Sequence, residues 1–167
     1  MEKSREYYMR AALGRAKTAA KNGETPVGAV IVKNGKIIAG GRNRREKKKN
    51  ALCHAEISAI NLACKKLGGW RLIGCDLYVT LEPCAMCAGA IINSRIEKVY
   101  FGASDMKSGS FGSVVDLSAL PYNHKPDITG GILEKECSGV LSEFFKELRK
   151  KKEAEKCRRK NNIEANE

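Results

Sequence analysis

The length and composition predict a single folded domain and exclude two classes of protein. A chain of 167 residues with 43% hydrophobic residues is too apolar to be disordered and long enough to bury a sizeable core. No apolar run approaches the about 20 residues that a membrane helix needs, and basic residues interrupt the N-terminal segment. We therefore expect neither a membrane span nor a secretory signal.

The net charge of +12 predicts a polyanionic partner, for which nucleic acid is the first candidate. Two segments carry most of the excess. Residues 42–49 contain six basic residues and one acidic residue, and residues 146–160 contain nine and three. This clustering favours a nucleic-acid contact over the alternative of an evenly basic, solvated surface.

The seven cysteines do not resemble the disulfide framework of a secreted protein, because their number is odd and their spacing is wide. Several lie within apolar patterns, where cysteine behaves as a small buried hydrophobe. We therefore expect a reducing compartment, the cytoplasm.

The first half of the chain predicts a helix, a hairpin and a second helix. Ser4 is a suitable N-cap, and apolar residues follow it at helical spacing up to the "NGETP" segment at 22–26. Asn34-Gly35 lies between two apolar runs, which predicts a β-hairpin with strands at 27–33 and 36–40. A basic loop at 42–50 precedes a predicted helix at 55–67.

The second half alternates strands with helices. "CDLYVTL" at 75–81 is continuously apolar at its centre, as in a strand covered on both faces. A helix is predicted from Pro83 to about Asn93, a strand at 98–103, a Gly/Ser-rich loop at 104–113 and a short strand within 127–133. Alternation of this kind indicates a sheet with helices on both faces.

The last predicted helix shows an apolar stripe from Cys137 to Leu148, and the stripe ends near Lys150. Beyond it the chain is either a solvated extension of the helix or disordered. We therefore predict one domain at residues 1–150 and a basic, flexible tail at 151–167.

The segment "EPCAMCA" raises the question of a metal site. Cys84 and Cys87 lie three apart at a predicted helix start, so both thiolates can face one ion, and His54 lies at another helix start. These three residues form the open ligand set of a catalytic zinc site, whereas a structural site needs four ligands. A redox dithiol like that of thioredoxin is the alternative interpretation.

Glu56 follows His54 by two residues, so it is poorly placed to be a neighbouring ligand. Two thiolates neutralise the charge of a Zn²⁺ ion, and such a site should acidify water less than an all-histidine site. A carboxylate that accepts the proton would compensate. Glu56 is therefore the candidate catalytic base.

Together, "HAE" and "PCAMC" match the H-x-E…P-C-x-x-C signature of zinc-dependent nucleobase deaminases. The chain also resembles the bacterial tRNA-specific adenosine deaminases over about residues 4–148, through "PVGAVIV", "GRN", "LYVTLEPCAMCAGAIINSRI" and "VYFGASDMKSGSFGS". Free-base and mononucleotide deaminases share the signature, but "FGASDMKSG", with Asp105, Lys107 and Gly109, is more similar to the tRNA enzymes.

The resemblance implies a three-layer α/β/α cytidine-deaminase-like fold with a central five-stranded mixed sheet, a homodimer and one zinc ion per chain. It also implies site roles, which are zinc binding by His54, Cys84 and Cys87, proton transfer by Glu56, contact with the target nucleoside by Asn43, and approach to the anticodon by the loop of Asp105 and Lys107.

The reaction implied is deamination of adenosine to inosine at the wobble position of a tRNA, with an arginine tRNA as the expected partner. A deaminase of small molecules such as guanine, and an RNA-binding module with a structural zinc, are the alternatives. The loop at 42–50 is more basic than we expect of the family, and Cys53 beside His54 is unusual.

Overall fold

A five-stranded mixed sheet lies at the centre of the fold, which confirms the predicted α/β/α architecture. The computed structural model describes residues 3–164, with side chains described to residue 159. The strands are β1 (Gly28–Lys33), β2 (Lys36–Arg42), β3 (Cys75–Leu81), β4 (Lys98–Ala103) and β5 (Asp127–Thr129). Their order is β2-β1-β3-β4-β5, in which β1 is antiparallel to both neighbours and β3, β4 and β5 are parallel.

Helices cover both faces of this sheet. They are α1 (Arg5–Lys21), α2 (Arg45–Lys48), α3 (Ala55–Leu67), α4 (Ala85–Asn93) and α5 (Glu134–Glu164), with a short 3₁₀ turn at Leu117–Ala119. Leu77 and Val79 of β3 point into one apolar core with α3 and α4, and Tyr78 points into a second core with α1 and α5. Both faces of β3 are therefore buried, as its continuous apolar centre predicts.

The β1–β2 hairpin forms where the sequence predicts it. Asn34 and Gly35 both have positive φ, 49° and 70°, as a two-residue type I′ turn requires. Strand β2 extends two residues beyond the predicted end, to Arg42.

One helix boundary differs from the predictions, and one short helix was not predicted. Helix α4 begins at Ala85 rather than at Pro83, because Cys84 is extended (φ −73°, ψ 172°) and forms an isolated β-bridge with Gly109. The basic loop at 42–50, called the cationic loop below, contains the short helix α2, which no periodic pattern announces.

Helix α5 continues past Lys150 to Glu164, and residues 151–159 are exposed throughout. Of the two sequence alternatives for this segment, the structure has the helical extension. The predicted domain boundary at residue 150 and the flexibility of the tail stay predictions. Within residues 3–164, no helix is both long and apolar enough to cross a membrane.

Candidate active site

The three predicted metal ligands converge where α3 and α4 begin. His54 is the N-cap residue of α3 and Cys84 is the N-cap residue of α4, while Cys87 lies in the first turn of α4. Neither N-cap side chain makes the capping hydrogen bond that is usual at this position. Their donor atoms are therefore free to face a common centre.

The distances between these donor atoms fit one metal ion. His54 Nδ1 lies 3.7 Å from Cys84 Sγ and 3.6 Å from Cys87 Sγ, and the three atoms all lie within 4.8 Å of one another. Tetrahedral zinc with ordinary Zn–N and Zn–S bonds would separate such atoms by about 3.6 Å. One imidazole nitrogen and two sulfurs also suit a borderline-soft ion.

Of the three donors, Cys84 already has the protonation state that a metal ligand needs. A hydrogen bond from the Cys87 thiol lowers the pKa of Cys84 to about 4, and the contact with His54 adds to this effect although burial opposes it. The same hydrogen bond, together with burial, raises the pKa of Cys87. The hydrogen bond with Cys84 raises the pKa of His54. One thiolate is thus already present, as a metal ligand must be.

Within the described residues, the cluster of possible metal donors contains these three side chains. Cys53 is half-buried next to His54 but lies outside the cluster. The other histidine, His124, places Nε2 2.6 Å from the carbonyl oxygen of Ile96 and also lies outside it. Three donors leave a fourth position open, which is the arrangement of a catalytic zinc site rather than a structural one.

Glu56 lies beside this cluster in the first turn of α3, and its side chain is only 4% exposed. Burial raises the pKa of Glu56 to about 7, and the nearby Cys84 adds to the rise. A carboxyl group that titrates near neutral pH is suited to accept and return a proton in catalysis.

Two donors of the cluster, His54 and Cys84, line a cavity of about 180 Å³, and we call this part of its lining the floor. Glu56 is also part of this floor. One wall contains Asn43 and Arg45 of the cationic loop. A second wall contains Asp105 and Ser108 of residues 104–113, which we call the serine loop.

The proposed substrate residues differ in their positions. Asn43 is 7% exposed, donates a hydrogen bond to the carbonyl oxygen of Thr25 (3.3 Å) and accepts one from the backbone N–H of Arg45 (3.4 Å). Its amide retains one N–H and one lone pair for a ligand. Asp105 lines the cavity, whereas Lys107 is exposed and is not part of its lining.

The carboxylate of Asp105 has a local structural role. It accepts hydrogen bonds from the backbone N–H groups of Lys107 (2.9 Å) and Ser108 (3.3 Å), and from the Ser108 hydroxyl (2.5 Å). This pattern is an Asx turn. Asp105 therefore shapes the serine loop at the point where it meets the cavity.

Two buried glutamates that bind the loops of the cavity walls were not predicted. Glu24 is 1% exposed and accepts hydrogen bonds from the backbone N–H groups of Glu46 (3.1 Å) and Lys47 (2.8 Å). It thereby caps α2, whose own N-cap residue, Arg44, makes no side-chain cap bond. Sequence spacing gives no signal for this contact, because 22 and 23 residues separate the partners.

Glu82 is 2% exposed and binds the serine loop in the same manner. Burial would raise the pKa of Glu82, but hydrogen bonds from Ser113, Asp105 and Phe111 outweigh this effect and lower it. Glu82 therefore stays ionised. Its position directly before Pro83 and Cys84 indicates that it lies near the metal donors. The sequence does not indicate which groups donate hydrogen bonds to it.

Known proteins are similar to this chain in sequence and in fold. The family model of the MafB19-like deaminases matches residues 3–149. A tRNA-specific adenosine deaminase of Bacillus subtilis (strain 168) is 53% identical over 150 residues, which cover 89% of this chain and 93% of that protein.

Two solved structures of deaminases are similar to this chain. One from a study of A-to-I editing by tRNA:A34 deaminases has a TM-score of 0.80 and 44% identity, covering 82% of this chain and 100% of the other. A guanine deaminase from Nitrosomonas europaea has a TM-score of 0.70 at 25% identity, covering 84% of each chain. The identity to the tRNA enzymes extends over nearly the whole chain, and the protein therefore belongs to the tRNA-specific adenosine deaminase family.

Proposed function

We propose that this protein is a hydrolase that converts adenosine to inosine at the wobble position, position 34, of a tRNA anticodon. The observation that carries the proposal is the open His54–Cys84–Cys87 cluster with the buried Glu56 beside it, at the floor of a cavity. The identity to tRNA-specific adenosine deaminases supports adenosine in tRNA as the substrate.

We propose Zn²⁺ as the metal, one ion per chain, held by His54 Nδ1 and the sulfurs of Cys84 and Cys87. When bound, zinc lowers the pKa of water towards neutrality and so provides a nucleophile for C6 of adenine. The donor types and their separations support this choice.

Glu56 moves the protons of the reaction. Its carboxylate takes one proton from the attacking water and gives it to N1 of the ring as the C6–O bond forms. It then takes the proton of the added hydroxyl group and gives it to the amino group, which leaves as ammonia when the C6–N bond breaks and the C6 carbonyl forms. Water and adenosine thus give inosine and ammonia. A pKa of about 7 makes both directions of transfer accessible near neutral pH.

Asn43 is proposed to contact the target nucleoside with its remaining amide hydrogen and lone pair. Asp105 and Lys107 are proposed to contact the nucleotides around it. Because the floor is recessed between two loops, the adenosine must leave the anticodon stack to enter. Sequence-specific recognition of RNA commonly targets such unstacked loop bases.

The cationic loop is proposed to hold phosphates that flank the target. Arg45 lines the cavity, and Lys47, Lys48 and Lys49 are exposed beside it. Arg45 has one ion pair, with Glu46 at 3.6 Å on the surface, and such pairs contribute little. A tRNA with a wobble adenosine, of which arginine tRNA is our first choice, would satisfy these charges.

A homodimer is also proposed, on the family resemblance and on an exposed apolar surface. Large side chains of the segment 106–122 are exposed, and they are Met106, Val114, Val115, Leu120 and Tyr122. An exposed apolar patch commonly marks an interaction surface. The cytoplasm is proposed as the location, because all seven cysteines are free thiols in the structure.

The test is the formation of inosine in RNA. Zinc-loaded protein is incubated with an arginine-tRNA anticodon stem-loop that carries a wobble adenosine, and the product is sequenced. We expect inosine at that position with the wild-type protein and none with Glu56→Ala. Zinc content measured in both proteins controls for loss of the metal site.

Guanine is the second candidate substrate, because a guanine deaminase shares the fold. Absence of inosine from protein that holds one zinc ion per chain, together with ammonia release from guanine, would replace the proposed substrate. Steep weakening of binding by salt would argue for RNA, since a neutral base would bind with little salt dependence.

A further inference from the structure

Glu82 connects the serine loop to the segment that carries the proposed ligand Cys84. It follows β3 directly, and Pro83 separates it from the proposed ligand Cys84. Its side chain is 2% exposed, so a charged carboxylate at this position requires hydrogen-bond donors. The donors come from the serine loop.

Four hydrogen bonds reach this carboxylate from both ends of the loop. Oε2 accepts from the backbone N–H of Asp105 (3.0 Å) and from the hydroxyl of Ser113. Oε1 accepts from the backbone N–H groups of Phe111 (3.0 Å) and Ser113 (3.1 Å). A charged acceptor strengthens each bond, so one side chain closes the loop at its start and at its end.

Backbone hydrogen bonds also join the serine loop to the segment that contains Pro83 and the proposed ligand Cys84. Ser110 N–H donates to the carbonyl oxygen of Pro83 (2.9 Å), and Gly109 pairs with Cys84 as an isolated β-bridge. A Cβ on Gly109 would lie 2.4 Å from Oε2 of Glu82, so the fit leaves no space for a side chain.

Glu82 itself lines the cavity, and this arrangement also connects it to the serine loop of the wall. The backbone N–H of Asp105 is bound to Glu82, and the carboxylate of Asp105 forms the turn that carries Ser108. Both residues line the cavity. A shift of the Glu82 carboxylate would therefore displace the wall on which a bound nucleotide would rest.

We propose that Glu82 is a positioning residue that holds the serine loop in the arrangement that binds the target nucleotide. The proposal rests on the proposed function, because it assumes that RNA enters this cavity. Glu82 acts through the loop and does not take part in the proton transfers assigned to Glu56.

The primary test is Glu82→Gln. The amide keeps one acceptor oxygen, but its NH₂ group faces N–H groups at one end of the loop, so that end is released. We expect unchanged zinc content, faster amide hydrogen exchange at residues 104–113 and a KM for the anticodon stem-loop raised about tenfold. A tenfold rise in KM is expected if the serine loop of the variant adopts the RNA-binding conformation about a tenth of the time. We expect kcat to change less than about twofold, since Glu56 and the metal ligands keep their places.

Ser113→Ala is a milder second variant, because it removes one donor and leaves the carboxylate intact. We expect KM to rise about threefold, with exchange increased mainly near residue 113. Ser138→Ala is the matched control. Its hydroxyl makes an exposed hydrogen bond within α5, to the carbonyl oxygen of Lys135, so KM and exchange should stay at wild-type values.

Three results would overturn the proposal. They are unchanged exchange and KM in both variants, loss of zinc from Glu82→Gln, and a fall in kcat at constant KM. The exchange measurement does not depend on turnover. If the wild-type protein makes no inosine, the proposed function fails, while exchange still reports whether Glu82 holds the loop.

Discussion

The floor of the cavity contains one buried glutamate and each wall is held by another, but these carboxylates have different surroundings. Glu56, at the floor, lies beside the metal donors, and burial raises its pKa to about 7. Glu82, at the wall, is as buried but accepts hydrogen bonds from loop N–H groups, which lower its pKa. Burial alone therefore does not assign a role to a carboxylate. The donors around it distinguish a group that exchanges protons from one that fixes a loop.

Glu24 extends the comparison to the other wall. Like Glu82, it accepts backbone N–H groups from a loop far away in the chain. The loop that it holds is cationic, whereas the serine loop contains Asp105 and Lys107 and no excess charge. Both walls are thus held by a buried carboxylate that accepts backbone N–H groups, but only the cationic wall presents an excess of positive charge to an RNA.

The largest effect expected is at the floor. Glu56→Gln keeps the size of the side chain but removes the proton acceptor, so we expect inosine formation to fall by about 10²–10⁴-fold. Zinc content, measured by mass spectrometry, should stay at one ion per chain. Loss of zinc from this variant would instead identify Glu56 as a ligand, and the contrast between floor and walls would fail.

Gly109→Ala tests the serine-loop wall sterically. The new methyl group would meet Glu82 at 2.4 Å and the carbonyl oxygen of Asp105 at 2.6 Å. We expect a loss of about 1–3 kcal/mol in the free energy of unfolding, as for other overpacked sites. Urea denaturation measures it.

The matched control is Gly14→Ala in α1, where nothing lies within 4 Å of the added Cβ. An exposed helical position of this kind should gain about 0.5–1 kcal/mol. Equal effects of the two substitutions would mean that the serine loop moves aside without cost.

Glu24→Ala tests the cationic wall. Removing this cap leaves two N–H groups of α2 without their acceptor, and we expect a loss of about 1–2 kcal/mol in the free energy of unfolding. RNA affinity should fall as well, because the cations lose their fixed arrangement. Glu143→Ala, at an exposed position of α5, is the control and should change neither quantity. Unchanged affinity in Glu24→Ala would separate the cap from RNA binding.

The sequence predicted the floor better than the walls, for physical reasons. Strands and long helices have local periods, and Asn34-Gly35 has the turn chemistry of its hairpin, so these elements were predicted close to their bounds. The proximity of His54, Cys84 and Cys87 followed from two helix starts at one edge of a sheet. The structure confirms this proximity, while the roles of the ligands stay predictions.

The attachment of the walls could not be predicted, because it depends on contacts without a period. Glu82 binds groups 23 to 31 residues away, and Glu24 binds groups 22 and 23 residues away. Helix α2 is four residues of mostly like charge, which local propensity does not favour. Its acceptor is supplied from the turn after α1, and only the folded chain brings the two together.

The smallest effect expected distinguishes a local phosphate contact from a general positive charge. Lys47→Ala combined with Lys48→Ala removes two exposed cations of the cationic loop. Lys49 is left in place, because its φ of 49° would strain a replacement. If both lysines meet phosphates of the anticodon loop, the slope of log affinity against log salt should become shallower by about 1.4, that is, about 0.7 per contact.

Lys65→Ala combined with Lys66→Ala is the control for this pair. These lysines are also exposed and change the net charge equally, but they lie nine or more residues along α3 from Glu56 of the floor, at least about 14 Å away. We expect the control to leave the slope near the wild-type value in filter-binding measurements over a range of salt concentrations. If the two double variants reduced the slope equally, RNA would respond to the overall positive charge of the protein and not to local contacts with the cationic loop. The cationic loop would then have no specific role in binding the anticodon loop. In that case Glu24 would stabilise the fold only, whereas Glu82 is proposed to hold a loop that binds RNA.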